Sequence, residues 1–148
     1  MFIWKEWGKL RDKISKVLDD WENEKLGLST DEEISKKEKR IFYGQKPSSV
    51  RLDDWNYIVF GMEELDKSGT NSMDLSGYYF VDIIREDYID DATMFELIFA
   101  MESIAGMKLC KGPCPIDYIT KGETTIVCEM MRLRFTRPVK RENINAEN

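Results

Sequence analysis

The first 26 residues carry a hydrophobic pattern with the period of an α-helix. Apolar side chains recur at steps of three and four, with Lys, Asp and Glu between them, at Trp4, Trp7, Leu10, Ile14, Val17, Leu18 and Trp21. The pattern predicts an amphipathic helix over residues 1–26, with Gly27 as its stop signal. Its polar face is mixed in sign rather than basic, so packing on a core or a subunit is favoured over a membrane surface.

A second, mostly polar segment follows at "STDEEISKKEKR" (29–40). Ser29 or Thr30 is suited to cap a helix here, with acidic residues in the first turn and basic residues in the last. Only Ile34 is available for burial, so the segment is either a short exposed helix or a linker. The next residues, "IFYGQKPSSVRL" (41–52), predict a short extended piece followed by a turn.

Two segments carry the pattern of strands that are covered on both sides. In "DDWNYIVFGMEEL", Trp55, Tyr57 and Val59 face one way, and Ile58, Phe60 and Met62 face the other. The segment "YYFVDIIREDYI" (78–89) is again apolar on both faces. The polar residues 66–77 between the two segments predict a long hairpin loop.

The remaining pattern predicts a helix and a closing pair of strands. The helix lies in "DDATMFELIFAMESIAGMK", begins at Asp90 or Asp91, ends at Gly106 and is marked by Phe95, Ile98, Phe99 and Met101. "PIDYIT" and "TTIVCEMMRLRFTRP" predict strands joined by a turn at residues 121–123. On the last strand, Val127, Met131, Leu133 and Phe135 share one face, and Arg132 and Arg134 lie on the other. The final "VKRENINAEN" has little to bury.

This order of elements predicts an α+β fold. We expect an antiparallel or mixed sheet of about four strands packed against helices, with a long N-terminal helix. The prediction is a single domain over residues 1–140, comprising the helix over 1–26 and a sheet-and-helix core over 41–137. Residues 141–148 are predicted to form a flexible tail.

Composition and charge exclude some classes of function. The net charge is −6, with 28 acidic and 22 basic residues, which disfavours a general nucleic-acid binder. Three cysteines, an odd number, favour a reducing compartment, and no apolar run reaches membrane-spanning length. Residues 51–105 contain 13 acidic and three basic residues, so this segment is net negative and its flanks are net positive. Such polarity favours head-to-tail self-association.

The side chains that carry chemistry in enzymes are sparse. The chain has no histidine, which removes the commonest general base and zinc ligand. Cys110 and Cys114 are separated by three residues and flanked by prolines, so no helix begins there to activate a thiol. A small connecting loop is favoured over a redox pair, a metal site or a disulfide. We therefore expect no enzyme activity, no catalytic residues, no bound metal and no cofactor.

Basic residues collect near the end of the last predicted strand, at Arg132, Arg134, Arg137, Lys140 and Arg141. They form either a solvated strand end or a surface for an acidic partner.

Four stretches, taken together, resemble small neck proteins of bacteriophages that infect Gram-positive hosts. They are "LDDWNYIVFGMEELDKSGT", "YYFVDIIREDYI", "IAGMKL" and "TTIVCEMMRLRFTRPVKR", and the similarity as a whole covers roughly residues 41–140. The class they resemble is the tail terminator, or tail completion, family. The resemblance rests on overall pattern and on no catalytic motif.

The resemblance implies a structural protein of the virion that is made in the host cytoplasm. Copies would form a homo-oligomeric, hexameric ring that caps the tail tube and joins it to the head connector. DNA would pass through the lumen without specific binding, since phosphate binding requires cations. The implied interface residues are those of the 66–77 loop and of charged strand ends: Ser68, Thr70, Asn71, Asp74, Arg132, Arg134 and Arg137.

Other classes of function remain open at this point. The chain could be another neck component, such as a head-closure or connector protein. It could also be an acidic regulatory binding module, and an enzyme built on a cysteine is the least favoured class.

Overall fold

The structure, a computed structural model, describes residues 2–67 and 74–140. The three helices are α1 (Phe2–Lys25), α2 (Asp31–Lys36) and α3 (Asp91–Glu102). The strands are β1 (Ile41–Tyr43), β2 (Tyr57–Lys67), β3 (Asp74–Arg85), β4 (Lys108–Leu109), β5 (Ile116–Thr120) and β6 (Val127–Lys140). The predicted α+β class and the long N-terminal helix are confirmed.

One mixed sheet of six strands organises the chain. Its order is β1-β2-β3-β6-β4, and β5 also pairs with β6. β1 lies parallel to β2, and every other described pairing is antiparallel. β4 and β5 share one side of β6, where Leu109 lies opposite Phe135 and Ile116 lies opposite Met131. The sheet thus has β1 at one end and β4 with β5 at the other.

The helix α1 supplies much of the core, as its pattern predicts. Trp7, Leu10, Ile14 and Leu18 are buried on one side of the sheet, which we call the helix face. The Trp7 ring stacks on Tyr79 of β3, with ring centroids 5.6 Å apart. This face was predicted correctly because a period of 3.6 places these side chains on one stripe of the helix.

The end of α1 is set by Gly27, whose φ of +71° is a left-handed conformation. The amide of Leu28 donates to the carbonyl of Asn23 at 2.8 Å, and the amide of Gly27 donates to that of Glu24 at 3.1 Å. These two bonds form a Schellman motif, which satisfies carbonyls at the end of the helix.

The short segment after α1 is a helix rather than a linker. Thr30 caps α2 and forms a capping box with Glu33, and no residue of this helix is buried. Of the two candidate caps, Thr30 is therefore the one that is used.

The opposite side of the sheet is covered by the segment 44–56, so we call it the loop face. Leu52 of this segment is buried against Val59, Ile84 and Cys128 of the sheet, and Val50 packs at the edge of the same cluster. The prediction that β2 and β3 are covered on both sides is therefore confirmed. Two different kinds of structure provide the cover, since helices lie on one face and an irregular segment lies on the other.

The predicted loop over residues 66–77 is too long. β2 runs to Lys67 and β3 begins at Asp74, with Lys67 opposite Leu75. Residues 68–73 lie outside the described residues. The extra pairing is compatible with polar residues because the ladder bonds are made by the backbone. Gly77 fits here because a Cβ atom at this position would overlap the Tyr79 hydroxyl.

The last strand also extends further than its sequence predicts. β6 continues to Lys140, and Val139 is buried opposite Leu75. The expectation that the final segment has little to bury is therefore wrong for Val139. The reason is that the extended β2–β3 hairpin offers this part of β6 a partner. Residues 141–148 lie outside the described residues.

The helix α3 is shorter than predicted, and two of the four side chains that mark it in the sequence are exposed. It ends at Glu102, and Gly106, with a φ of +82°, closes the turn that follows. Leu97 and Met101 are buried, whereas Phe95 is 52% exposed and Phe99 is 70% exposed. The sequence does not indicate which face is buried, because apolar residues surround this helix on all sides and their period does not select one face.

The cap of α3 gives a first testable prediction. The Asp90 carboxylate accepts from the amide of Thr93 at 2.8 Å, and hydrogen bonds with Thr93 lower the pKa of Asp90 below its ordinary value of 3.8. We expect Asp90→Ala to lower the free energy of unfolding by about 1 kcal/mol at pH 7. Because the folded pKa is depressed, this contribution is present above the unfolded pKa and is lost as pH falls below about 4.

Urea denaturation of the wild type and the variant at pH 7 and at pH 3 measures the effect. Asp91→Ala is the matched control, since Asp91 lies inside the first turn and does not cap. Its loss should cost about 0.3 kcal/mol through the helix dipole. Equal effects of the two substitutions at pH 7, or a difference that does not decrease from pH 7 to pH 3, would contradict the assignment.

Candidate interaction surfaces

Two of the predicted interface arginines form an ion-pair network on the loop face. Arg132 lies directly opposite Asp82 of β3, and its Nε and Nη2 atoms donate to the two oxygens of that carboxylate at 2.8 and 2.9 Å. Arg134 donates from Nε to Glu63 of β2 at 2.7 Å. The Arg132 guanidinium also lies over the Phe80 ring, 4.2 Å from its centroid. Both guanidinium groups are thus engaged within the chain.

This network changes how the charge pattern is interpreted. Asp82 and Glu63 belong to the acidic segment 51–105, and the arginines belong to the basic flank. Part of the polarity that the sequence shows is therefore neutralised between β2, β3 and β6 of one molecule. A carboxylate from a partner would have to compete with Asp82, which is only 7% exposed and is held by two bonds.

The other predicted interface residues have different positions. Arg137 donates from Nε to the carbonyl of Ala105 at 2.9 Å, so it braces the turn after α3. Asp74 is the first residue of β3 and lies opposite Lys140. Ser68, Thr70 and Asn71 lie outside the described residues. The structure thus brings Arg132 and Arg134 together and assigns Arg137 a separate contact.

The cysteine stretch connects β4 to β5. Cys110 and Cys114 are half-buried, and Cys128 is buried in the loop-face cluster; all three are free thiols. The amide of Cys110 donates to the carbonyl of Arg134 at 2.9 Å, which ties the connection to β6. Burial raises the pKa of the Cys110 thiol above its ordinary value, which lowers its thiolate fraction at neutral pH.

Uncovered apolar side chains lie along the β5–β6 hairpin. Tyr118 is 66% exposed, Val127 is 50% exposed and Ile116 is 45% exposed. The register places these three side chains on the helix face of the sheet, because Ile116 lies opposite the core residue Met131. The hairpin thus carries the sheet beyond the area that the helices cover, and we call this surface the hairpin patch.

A second uncovered apolar surface lies on α3. Phe95 and Phe99 are exposed there, and Tyr88, in the segment before the helix, is 68% exposed. Phe99 also lines a groove of about 820 Å³ between α1 and α3, together with Val17 and Trp21. In the sequence the two phenylalanines marked the helix, and their exposure was not predicted. Their spacing with Asp91 along one side of the helix was the signal that could have indicated an outward face.

A further cavity of about 530 Å³ lies where the C-terminal end of α1 meets the strands. The charged residues of its lining are Lys25, Arg40, Arg85, Glu22, Asp54, Asp87 and Asp90. The nearly balanced charges define no class of ligand. Within residues 2–67 and 74–140, no group of three or more Cys, Asp or Glu side chains is arranged to hold a metal ion. Among the same residues, no helix is long and apolar enough to cross a membrane.

Comparison with known proteins adds no relatives to this picture. The chain matches no protein-family model, and a search of the curated proteins finds no significant match.

Proposed function

We propose that the chain is a structural assembly protein of a bacteriophage tail, a tail terminator whose copies form a ring on the tail tube. The resemblance of residues 41–140 to neck proteins motivates the proposal. The observation that carries it is the uncovered hairpin patch together with Phe95 and Phe99 on α3. Monomeric proteins seldom leave such apolar groups clustered at the surface, and clusters of this kind mark contacts with other proteins.

The ring has two kinds of contact to make. Neighbouring subunits meet side by side, while the tail tube and the head connector lie below and above. The hairpin patch lies on strands and the exposed phenylalanines lie on a helix, and a subunit with more than one class of neighbour needs more than one contact surface. Exposed acidic residues such as Asp87 and Asp91 are suited to a lumen that DNA crosses without binding.

A measurement of mass in solution tests this function. Light scattering after size exclusion, over a range of concentrations, should give a discrete species of about six subunits of 17.4 kDa each, alone or with the tail tube protein of the same phage. Capping of tube growth by the added protein would support the terminator role. A strict monomer in both conditions would exclude it, and assembly without any effect on tubes would favour another neck component.

A further inference from the structure

The strand β5 is held to the sheet from one side. Near its start the amide of Arg132 donates to the carbonyl of Pro115 at 3.2 Å, and just after its end the amide of Lys121 donates to the carbonyl of Ile126 at 2.9 Å. These bonds define which backbone groups point towards β6, since in an antiparallel ladder they alternate along the strand.

The alternation leaves one side of β5 open. Asp117 and Ile119 lie two and four residues after Pro115, so their amides and carbonyls also point to β6. Those of Ile116, Tyr118 and Thr120 point away from it, and no described residue bonds to them. An edge strand of this kind is a template for another strand unless charge, proline or a bulge protects it. We call this side the β5 edge.

The other end of the sheet also carries unpaired backbone groups. In β1, the carbonyl of Arg40 and the amide of Gly44 bond to β2, each at 2.8 Å. The backbone of Ile41 and Tyr43 therefore points away from β2, and of these groups only the Tyr43 carbonyl has a described partner, the amide of Gln45. We call this side the β1 edge. One molecule thus carries unpaired backbone groups at both ends of the same sheet. At the β1 edge Ile41 is only 4% exposed, so a partner strand would meet the backbone at Tyr43, which is 48% exposed.

Side chains at the two edges match on the helix face. Tyr43 is 48% exposed, lies opposite Phe60 and belongs to the helix face of the β1 edge. Ile116 and Tyr118 lie on the same face at the β5 edge. If the sheet continued from one copy to the next, Tyr43 would lie beside these two side chains. Aromatic and aliphatic pairs of this kind stabilise neighbouring strands.

Charges at the two edges are complementary on the loop face. At the β1 end, Lys39 lies over the Phe42 ring and Lys46 lies over the Tyr57 ring, at 5.7 and 6.0 Å from the centroids. At the β5 edge, Asp117 is exposed, lies opposite Met130 on this face and has no ion pair among the described residues. A head-to-tail contact would therefore bring opposite charges together.

We propose that the β5 edge of one copy pairs with the β1 edge of the next, so that the sheet continues from subunit to subunit. The inference rests on the proposed ring and identifies the strands that build it. Joining two different edges is a heterologous contact, and such contacts close into a ring when the rotation between copies allows it. Main-chain bonds supply the attraction, and the matching side chains select the partner edge.

Tyr118→Pro and Tyr118→Lys test the pairing. Proline at residue 118 removes an amide that points away from β6, so the β5–β6 ladder is retained, while lysine leaves the backbone intact and adds an edge charge. Each should raise the concentration at half-assembly by roughly tenfold or more, measured by native mass spectrometry and light scattering. Leu26→Lys is the matched control, since Leu26 is a 55% exposed apolar residue that lies just after α1 and not on the sheet. Circular dichroism verifies folding.

A charge exchange identifies the partner edge. Asp117→Lys should weaken assembly, and adding Lys39→Asp with Lys46→Asp should restore it, because the pair is re-formed between copies. If both Tyr118 variants assemble at the same concentrations as the wild type, the edge pairing is wrong and the proposed function still stands. A twofold dimer that depends on Tyr118 but not on the lysines would indicate pairing of two β5 edges and overturn the inference. A wild type that never assembles would overturn both proposals.

Discussion

Phe135→Ala is expected to lower the free energy of unfolding by about 3–5 kcal/mol. Phe135 lies in the middle of β6, has no exposed surface and packs in the helix-face core between the sheet and the helices. Removing its ring takes away buried apolar contacts and leaves a cavity among rigid neighbours. Because β6 pairs with β3, β4 and β5, residues around the cavity cannot move in to fill it without disturbing these three strands.

Urea denaturation followed by tryptophan fluorescence and by circular dichroism measures this effect. The matched control is Phe99→Ala, which removes the same ring from a position that is 70% exposed. The free energy of unfolding of that variant should lie within about 0.5 kcal/mol of the wild-type value. If Phe99→Ala cost as much as Phe135→Ala, the assignment of α3's exposed face would be incorrect.

Arg132→Ala is expected to lower the free energy of unfolding by about 2–3 kcal/mol. The substitution leaves the Asp82 carboxylate on the loop face without the two hydrogen bonds that hold it. Asp82 is 7% exposed, so water replaces those bonds poorly. The partial exposure of Arg132 keeps the expected cost below that of a fully buried pair.

Arg134→Ala is the control for this prediction. The side chain of Arg134 is 40% exposed and that of Arg132 is 39% exposed, but the partner of Arg134, Glu63, is more accessible than Asp82. Its loss should cost about 0.5–1 kcal/mol. A double substitution, Arg132→Met with Asp82→Leu, should be more stable than Arg132→Met alone, because no charge is then left unpaired. Equal stability of these two variants would contradict an energetic role for the Asp82 pair.

The hydrogen-bond network also explains why the arginines were difficult to interpret from the sequence. Arg132 and Asp82 are 50 residues apart, and Arg134 and Glu63 are 71 residues apart. A cluster of basic residues on one strand indicates a charged surface when only that strand is considered. The register of three strands decides that carboxylates lie opposite, and no local pattern contains that register.

The candidate surfaces were predictable only in part. The hydrophobic pattern identified β5 as a strand, but its position at an edge depends on which side of β6 it occupies. The exposure of Phe95 and Phe99 likewise depends on the rotation of α3 about its own axis. The sequence of α3 does not fix this rotation, because apolar residues lie on several sides of the helix. Both surfaces are defined by what the rest of the chain leaves uncovered, which is a property of the complete packing.

The sequence by itself determined the class of fold, the extent of α1 to within a residue or two, the two faces of β2 and the Gly27 stop. These features depend on local rules, since side-chain direction has a fixed period in a helix or strand and glycine adopts a left-handed conformation at little cost. The tertiary structure alone decided the length of the β2–β3 hairpin, the partners of Arg132 and Arg134, the buried side of α3 and the unpaired backbone groups at both ends of the sheet. Each of these depends on contacts between residues far apart in the chain, whose geometry is fixed only when the strands have paired and the helices have packed on them.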